Sequence, residues 1–174
     1  MRDMPYERAS DLSPSTLIRE WRGTCSGKHL LLQALLSELG LRVRLMIATY
    51  LYSWQGPGPV PRALAQLLAP GPVPDVHNFL EVQALGVWLP LDATFPKPAA
   101  AIGFPVNDEF VPGVAQRVAC SEPYTAWPVP PDVALDAYKA GVLAKFCGAD
   151  LPRREAFIAA LTAWSDAAMP RERP

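Results

Sequence analysis

Residues 76–94 read VHNFLEVQALGVWLPLDAT, and this stretch decides the fold. Two runs of alternating apolar residues flank QALG at 83–86, where Gly86 offers the positive φ that tight turns often need. The pattern predicts an antiparallel hairpin with a four-residue turn and with Val82 opposite Val87. Because side chains alternate across a strand, one face is apolar. That face carries Leu80, Val82, Val87, Leu89 and Leu91, with Asn78 at its end.

The other face of the hairpin carries a histidine and an aspartate. The same register places His77 opposite Asp92. It also places Pro90 opposite Phe79 in a pair without ladder hydrogen bonds, which suits a residue that has no N–H. A carboxylate beside an imidazole fixes one tautomer and makes the other nitrogen more basic. An ordinary surface contact is the alternative, but both side chains lie away from the apolar face, where a third element can cover them.

Upstream of the hairpin, the run from Cys25 to Leu39 predicts a helix. Thr24 suits its N-cap, and Gly40 suits the position after its last turn. Its leucines cover most of the circumference, which is typical of a central helix. The segment VRLMIATYLY at 43–52 predicts a buried strand. The sequence therefore predicts an α+β fold, in which a central helix packs on an antiparallel sheet.

Cys25 lies in the first turn of this predicted helix. The partial positive charge there favours thiolate over thiol, and the unpaired N–H groups can stabilise an oxyanion. Gly23 and Gly27 leave the backbone near the sulfur uncrowded. Taken alone, Cys25 is a small packing residue. With His77 as base and Asp92 as orienter, it forms the constellation required for acyl transfer through a thioester.

Three segments in this order resemble the transglutaminase-like superfamily of cysteine enzymes. They are GTCSGKHLLLQALLSELGLRVRL (23–45), HNFLEV (77–82) and GVWLPLDAT (86–94). The resemblance implies a papain-like fold with Cys25 as nucleophile, His77 as general base and acid, and Asp92 as orienter. The animal cross-linking enzymes of this superfamily need calcium. This chain has no acidic cluster of the kind that calcium sites use, so we expect no calcium dependence and no cofactor.

Three further residues are candidates for the substrate site. The resemblance implies that Trp21, just upstream of the cysteine, helps to form the oxyanion hole or the acyl pocket. Glu81 and Trp88 share the polar face of the hairpin and are candidates for a substrate groove. The alternative for Trp88 is an aromatic side chain that half-covers a sheet.

Two residues near the cysteine have simpler interpretations. His29 lies one helical turn after Cys25 and is a rival base. We assign it instead to a polar stripe with Ser26, because no carboxylate is evident to orient it. Lys28 is interpreted as a solvated lysine. A zinc site that uses the two histidines and Cys25 lacks the local ligand spacing of such sites.

The remainder of the chain predicts one domain in two parts, since 174 residues suit a single core. The catalytic core spans 1–131 and a helical appendage spans 132–174. Residues 55–75 form a proline-rich insertion around a short helix, which predicts a stiff flap. The other predicted elements are a helix at 13–21, a strand at 114–120, and helices at about 132–146 and 152–168.

Composition excludes several function classes. The formal net charge is −1 and no basic stripe stands out, which argues against a nucleic-acid or membrane-surface partner. No signal peptide or membrane-spanning segment is evident, so we expect a cytoplasmic protein. The three widely spaced cysteines predict free thiols rather than disulfides, with Cys120 and Cys147 as structural thiols.

Three functions remain open at this point. The first is amide hydrolysis or acyl transfer on a peptide, a protein or a small amide or amine. The second is a non-catalytic module of the same fold, which holds a peptide or protein partner between helix and hairpin. The third is an acyl-CoA-dependent N-acyltransferase of the arylamine type, a longer family that shares the triad. The sequence leaves the oligomeric state open.

Overall fold

A computed structural model of the chain describes residues 1–169, and it has an α+β architecture. Four strands form one antiparallel sheet in the order β3-β2-β1-β4. The strands are β1 (Val43–Tyr52), β2 (Val73–Ala84), β3 (Val87–Leu91) and β4 (Tyr124–Pro128). The helices are α1 (Pro14–Glu20), α2 (Cys25–Glu38), α3 (Arg62–Leu68), α4 (Leu135–Cys147) and α5 (Leu151–Ala168). The predicted α+β class is confirmed.

The hairpin of β2 and β3 turns through two residues rather than four. Ala84 pairs with Val87, which leaves only Leu85 and Gly86 in the turn. Both have positive φ, at 51° and 82°, and this is the conformation of a type I′ turn. The predicted register is wrong because Leu85 adopts a left-handed conformation that a residue with a Cβ atom rarely takes.

This shift of two residues keeps every side chain on its predicted face. Pro90 lies opposite Glu81 instead of Phe79. Because pair classes alternate along an antiparallel ladder, Pro90 is still in a pair that exchanges no ladder bonds. His77 and Asp92 are no longer directly opposite each other, since Asp92 follows the last residue of β3.

The two faces of the sheet contact different parts of the chain. The predicted apolar face, with Leu80 and Leu91, packs against leucines of α2 and against Leu135 at the start of α4. The opposite face, with Met46 and Phe79, is covered by the segment between β3 and β4. His77 lies on the same face of β2 as Phe79. This face is covered by the segment between β3 and β4.

Helix α2 is central only in its first half. Its first turns are buried, whereas Leu35 and Leu39 near its end are exposed. A Cβ atom at Gly27 would lie 2.8 Å from Cδ2 of the buried Leu17. The glycine therefore lets α1 pack closely on α2, which is a different role from the predicted one of leaving the sulfur uncrowded. Gly40 has a φ of 77°, as its position after the helix predicts.

The proline-rich insertion is docked on the last helix. Leu64 of α3 and Phe157 of α5 are both fully buried in one apolar cluster. The Arg153 guanidinium of α5 donates to the carbonyl groups of Leu67 and Gly71, at 3.0 and 2.9 Å. Helix α3 is therefore fixed to α5, and the predicted flap packs against the C-terminal helices.

The segment between β3 and β4 differs from its prediction. Residues 114–120 run without regular strand pairing, although the Gln116 N–H donates to the Pro90 carbonyl at 2.9 Å. The fourth strand is β4, which pairs with β1 at the edge of the sheet. The sequence did not predict β4 because prolines flank it. Prolines are tolerated at edge strands.

The predicted C-terminal helices are confirmed as α4 and α5, and the last five residues of the predicted appendage, 170–174, lie outside the described part. Within residues 1–169, no helix is both long and apolar enough to cross a bilayer.

Candidate active site

The N-terminus of α2 meets β2 just past the end of β3. The pairing of β2 with β3 ends at Leu80 and Leu91. The edge of β2 is therefore not covered by β3 at Asn78. The backbone N–H of Asn78 also helps to lower the pKa of the Cys25 thiol. The buried Asn78 side chain accepts a hydrogen bond from Ser26 Oγ at 2.9 Å. Asn78 therefore fixes the first turn of α2 against the sheet.

His77 and Asp92 form a buried pair beside this helix end. His77 Nε2 donates to Asp92 Oδ2 at 2.8 Å. The same carboxylate accepts from the backbone N–H of Ala119 at 2.8 Å and from that of Thr94 at 2.9 Å. Burial alone would raise the pKa of Asp92, but the charge and hydrogen bond of His77 hold that pKa well below its usual range. Asp92 is thus an anion with a fixed orientation.

His77 and Cys25 shift each other's pKa values. Burial opposes charge on the imidazole, but Asp92 and then Cys25 raise the pKa of His77 above its ordinary value. Burial likewise opposes the thiolate, but Lys139 and then His77 lower the pKa of Cys25 well below that of a free thiol. Both shifts favour a thiolate beside an imidazolium, which is the reactive form of a cysteine nucleophile.

His29 is buried next to His77 and Asp92, and it links α2 to the loop after β3 through two hydrogen bonds. Its Nδ1 donates to the Cys25 carbonyl at 2.8 Å, and its Nε2 accepts from the Ala93 N–H at 3.0 Å. Burial lowers the pKa of His29, which keeps it neutral. The predicted polar stripe is corrected, because His29 is fully buried and Asp92 Oδ1 lies 3.6 Å from its Nε2. With both nitrogens occupied, His29 has no free atom to act as a base.

Lys28 is also fully buried, contrary to the predicted solvated lysine. Its ammonium donates to the carbonyl groups of Arg2, Met4 and Thr94, at 2.9, 2.6 and 2.8 Å. These three acceptors come from the N-terminal segment and from the loop that follows Asp92. Lys28 therefore ties both to the first turn of α2.

Lys139 of α4 contacts the sulfur directly. Its Nζ lies 3.4 Å from Cys25 Sγ and 3.1 Å from Ser26 Oγ. Sequence reasoning missed this residue, since α4 lies outside the three segments that resemble a known family. No local pattern in the sequence marks Lys139, because its position depends on how α4 packs over α2 and β2.

A cavity of about 1010 Å³ opens beside Cys25 and His77. Tyr6 borders it, and burial, followed by the charge of Cys25, raises the pKa of this phenol well above its ordinary value. Apolar walls come from several parts of the chain, namely Phe95, Phe104, Leu135, Leu143, Ile158 and Leu161. Phe95 and Phe104 stack with their ring centroids 4.3 Å apart. The space is large enough for a peptide side chain or a bulky acyl group.

No protein-family model, curated protein or solved structure matches the chain.

Three residues that the sequence predicted near the substrate do not line the cavity beside Cys25 that residues 1–169 form. Trp21 is 54% exposed at the C-terminal end of α1. Glu81 accepts a hydrogen bond from Arg44 Nε at 2.7 Å. The Arg44 guanidinium in turn lies 4.3 Å from the centroid of the Trp88 ring. Glu81 and Trp88 thus belong to a surface cluster with Arg44, farther along the hairpin from His77.

The other two cysteines are free and buried. Burial raises the pKa of Cys120 and of Cys147, so neither is activated as a nucleophile. In the described part of the chain, no group of three or more histidine, cysteine, aspartate or glutamate side chains is placed to hold a metal ion.

Proposed function

We propose that the protein is a cysteine-dependent enzyme that hydrolyses amides, or transfers their acyl groups, through a thioester on Cys25. The observation that carries the proposal is the buried His77–Asp92 pair beside a cysteine at a helix N-terminus. Burial matters here because an ordinary surface histidine and aspartate would be solvated and mobile. A paired imidazole that also lowers the pKa of a neighbouring thiol has the properties of a catalytic base.

Acylation begins with attack of the Cys25 thiolate on the carbonyl carbon of the amide. The S–C bond forms as the π electrons of the carbonyl move to oxygen. When the tetrahedral intermediate collapses, the C–N bond breaks and His77 gives its proton to the departing amine. The products of this half-reaction are a thioester on Cys25 and a free amine.

Deacylation uses the now neutral His77 as a base. Water or a second amine attacks the thioester carbonyl and transfers a proton to His77. The C–S bond breaks, and the thiolate and imidazolium are restored. Asp92 orients the ring and stabilises its charge throughout. Whether the acceptor is water or an amine decides between a hydrolase and a transferase.

The test is trapping of the acyl-enzyme with an activated ester. p-Nitrophenyl acetate should give a burst of p-nitrophenolate equal to the enzyme concentration, and intact mass should show one added acetyl group on Cys25. Cys25→Ser should abolish both. Cys120→Ser is the matched control, because Cys120 is a second buried thiol at the same cavity.

Other outcomes separate the alternatives. Acetylation of Cys25 by acetyl-CoA, and not by amides or simple esters, would favour the acyl-CoA-dependent reaction. Absence of any acyl-Cys25 adduct, together with a co-purified peptide, would contradict the catalytic proposal and favour a binding module.

A further inference from the structure

Lys139 is fixed at the reacting sulfur by two hydrogen bonds. Its ammonium donates to Cys25 Sγ and to Ser26 Oγ. Ser26 donates onward to Asn78 Oδ1, and Asn78 Nδ2 donates to the Met46 carbonyl at 3.0 Å. This chain of hydrogen bonds anchors a lysine of α4 to the middle of the sheet. A solvated surface lysine would have no such anchor.

We propose that Lys139 is a fourth catalytic side chain, whose ammonium stabilises negative charge on the Cys25 sulfur before attack and on the substrate carbonyl oxygen after it. The inference rests on the thioester chemistry proposed above. It assigns a role that the resemblance gave to Trp21, which does not border the cavity.

The geometry favours both roles. A cation 3.4 Å from the sulfur of a buried cysteine attracts a thiolate more strongly than it would in bulk water. In the tetrahedral intermediate, the oxyanion is attached to the carbon that is bonded to this same sulfur. The oxyanion therefore forms within reach of a donor that already contacts Sγ, and the donor needs little rearrangement.

Ionisable groups from several elements act on Cys25. They are Tyr6 of the N-terminal segment, Lys28 and His29 of α2, His77 of β2, Cys120 before β4, and Lys139 of α4. Lys28 is committed to three carbonyl groups and His29 is neutral. The cations that lower the pKa of Cys25 most are therefore Lys139, which contacts the sulfur, and then His77.

The experiment separates the two roles with two reagents. Alkylation by iodoacetamide forms no oxyanion, so its rate against pH reports the thiolate alone. Acylation by p-nitrophenyl acetate, measured at a pH where the thiolate is fully formed, reports stabilisation of the oxyanion. Peptide-level mass spectrometry assigns both adducts to Cys25.

Lys139→Met should move the midpoint of the alkylation profile upward by about one pH unit, so that alkylation below the midpoint slows about tenfold. At a pH above both midpoints, acylation should still be slower by about tenfold or more. Lys139→Arg should restore much of both rates, because the charge is kept. Lys145→Met, at an exposed position of the same helix, is the control and should match wild type.

The outcomes that overturn the proposal are distinct from those that overturn the function. If wild-type Cys25 reacts as a free thiol, the thioester chemistry itself fails. If wild type is activated but Lys139→Met has wild-type profiles for both reagents, Lys139 has no catalytic role. If only alkylation changes, the oxyanion role is wrong. Unchanged thermal unfolding of Lys139→Met shows that the variant is folded, and rescue by Lys139→Arg excludes a purely steric effect.

Discussion

His77 Nε2 lies 2.8 Å from Asp92 Oδ2, and both side chains are almost completely buried. Solvation compensates poorly for the loss of either partner at this depth. Two backbone N–H groups, of Thr94 and Ala119, also donate to the carboxylate. The loop after β3 and the segment before β4 therefore depend on the same aspartate as the histidine does.

Replacing Asp92 by Asn should slow acylation of Cys25 by about 10²- to 10⁴-fold. Asn has nearly the same shape, but it lacks the charge that orients His77 and stabilises its imidazolium form. Burst kinetics with p-nitrophenyl acetate measure the effect. Asp166→Asn, at an exposed position of α5, is the control and should keep the wild-type rate. An acylation rate for Asp92→Asn close to that of wild type would contradict the assigned role.

The two buried histidines should respond differently to the same substitution. Because the pKa of Cys25 is lowered, its thiolate should be present at neutral pH and lost as the pH falls through that pKa. His77→Gln removes a cation from the sulfur and should move this midpoint upward. His29→Gln should leave it near the wild-type value, because His29 is neutral and Gln can also donate and accept hydrogen bonds.

Ultraviolet absorbance of the thiolate measures this midpoint without a reagent. Cys120 and Cys147 have raised pKa values, so only Cys25 should ionise in the acidic and neutral range. Cys25→Ser should remove the transition. A midpoint that moves with His29→Gln and not with His77→Gln would reverse the roles of the two histidines.

The local patterns of the sequence were sufficient to predict the main elements that carry the site. The period of two in 76–94 predicts the hairpin faces, and the leucine-rich run after Cys25 predicts α2. The hairpin faces are correct although the turn length is wrong, because an error of two residues preserves the alternation of a strand. The turn length was mispredicted because Leu85 adopts a left-handed conformation, which leucine does not favour.

The residues that sequence reasoning missed are those defined by distant contacts. Lys28 donates to the carbonyl groups of residues 2, 4 and 94, and Lys139 contacts a cysteine 114 positions away in the chain. Neither pairing has a local periodicity. His29 had a weak signal, since it follows Cys25 by one helical turn, but its burial depends on how the loop after Asp92 packs.

Replacing Lys28 by Met should destabilise the fold by about 2–4 kcal/mol. The thioether has a similar length but cannot donate, so the three buried carbonyl acceptors of the ammonium lose their partner. Chemical denaturation measures the free energy of unfolding, and limited proteolysis should show earlier cleavage of the N-terminal segment. Lys145→Met controls for the loss of a lysine. Equal stability of the two variants would show that the carbonyl groups are satisfied without Lys28.

The turn of the hairpin offers a stability prediction that is independent of the site. Leu85 is 95% exposed and has a φ of 51°, so its side chain gains nothing from burial and its backbone is strained. Asn tolerates the left-handed conformation, and Asn-Gly is a favoured pair for a type I′ turn. Leu85→Asn should therefore stabilise the protein by about 0.5–1 kcal/mol, measured by chemical denaturation.

Gly86→Ala should destabilise the protein by about 1 kcal/mol in the same measurement, because Gly86 has a φ of 82° and alanine has a Cβ atom.

Leu51→Asn is the control for Leu85→Asn. It also removes an exposed leucine, but Leu51 lies within β1 rather than in a turn. It should give no gain, because Asn is depleted in strands. If Leu85→Asn and Leu51→Asn stabilise the protein equally, the gain comes from lost surface hydrophobicity and the strain at Leu85 contributes nothing measurable.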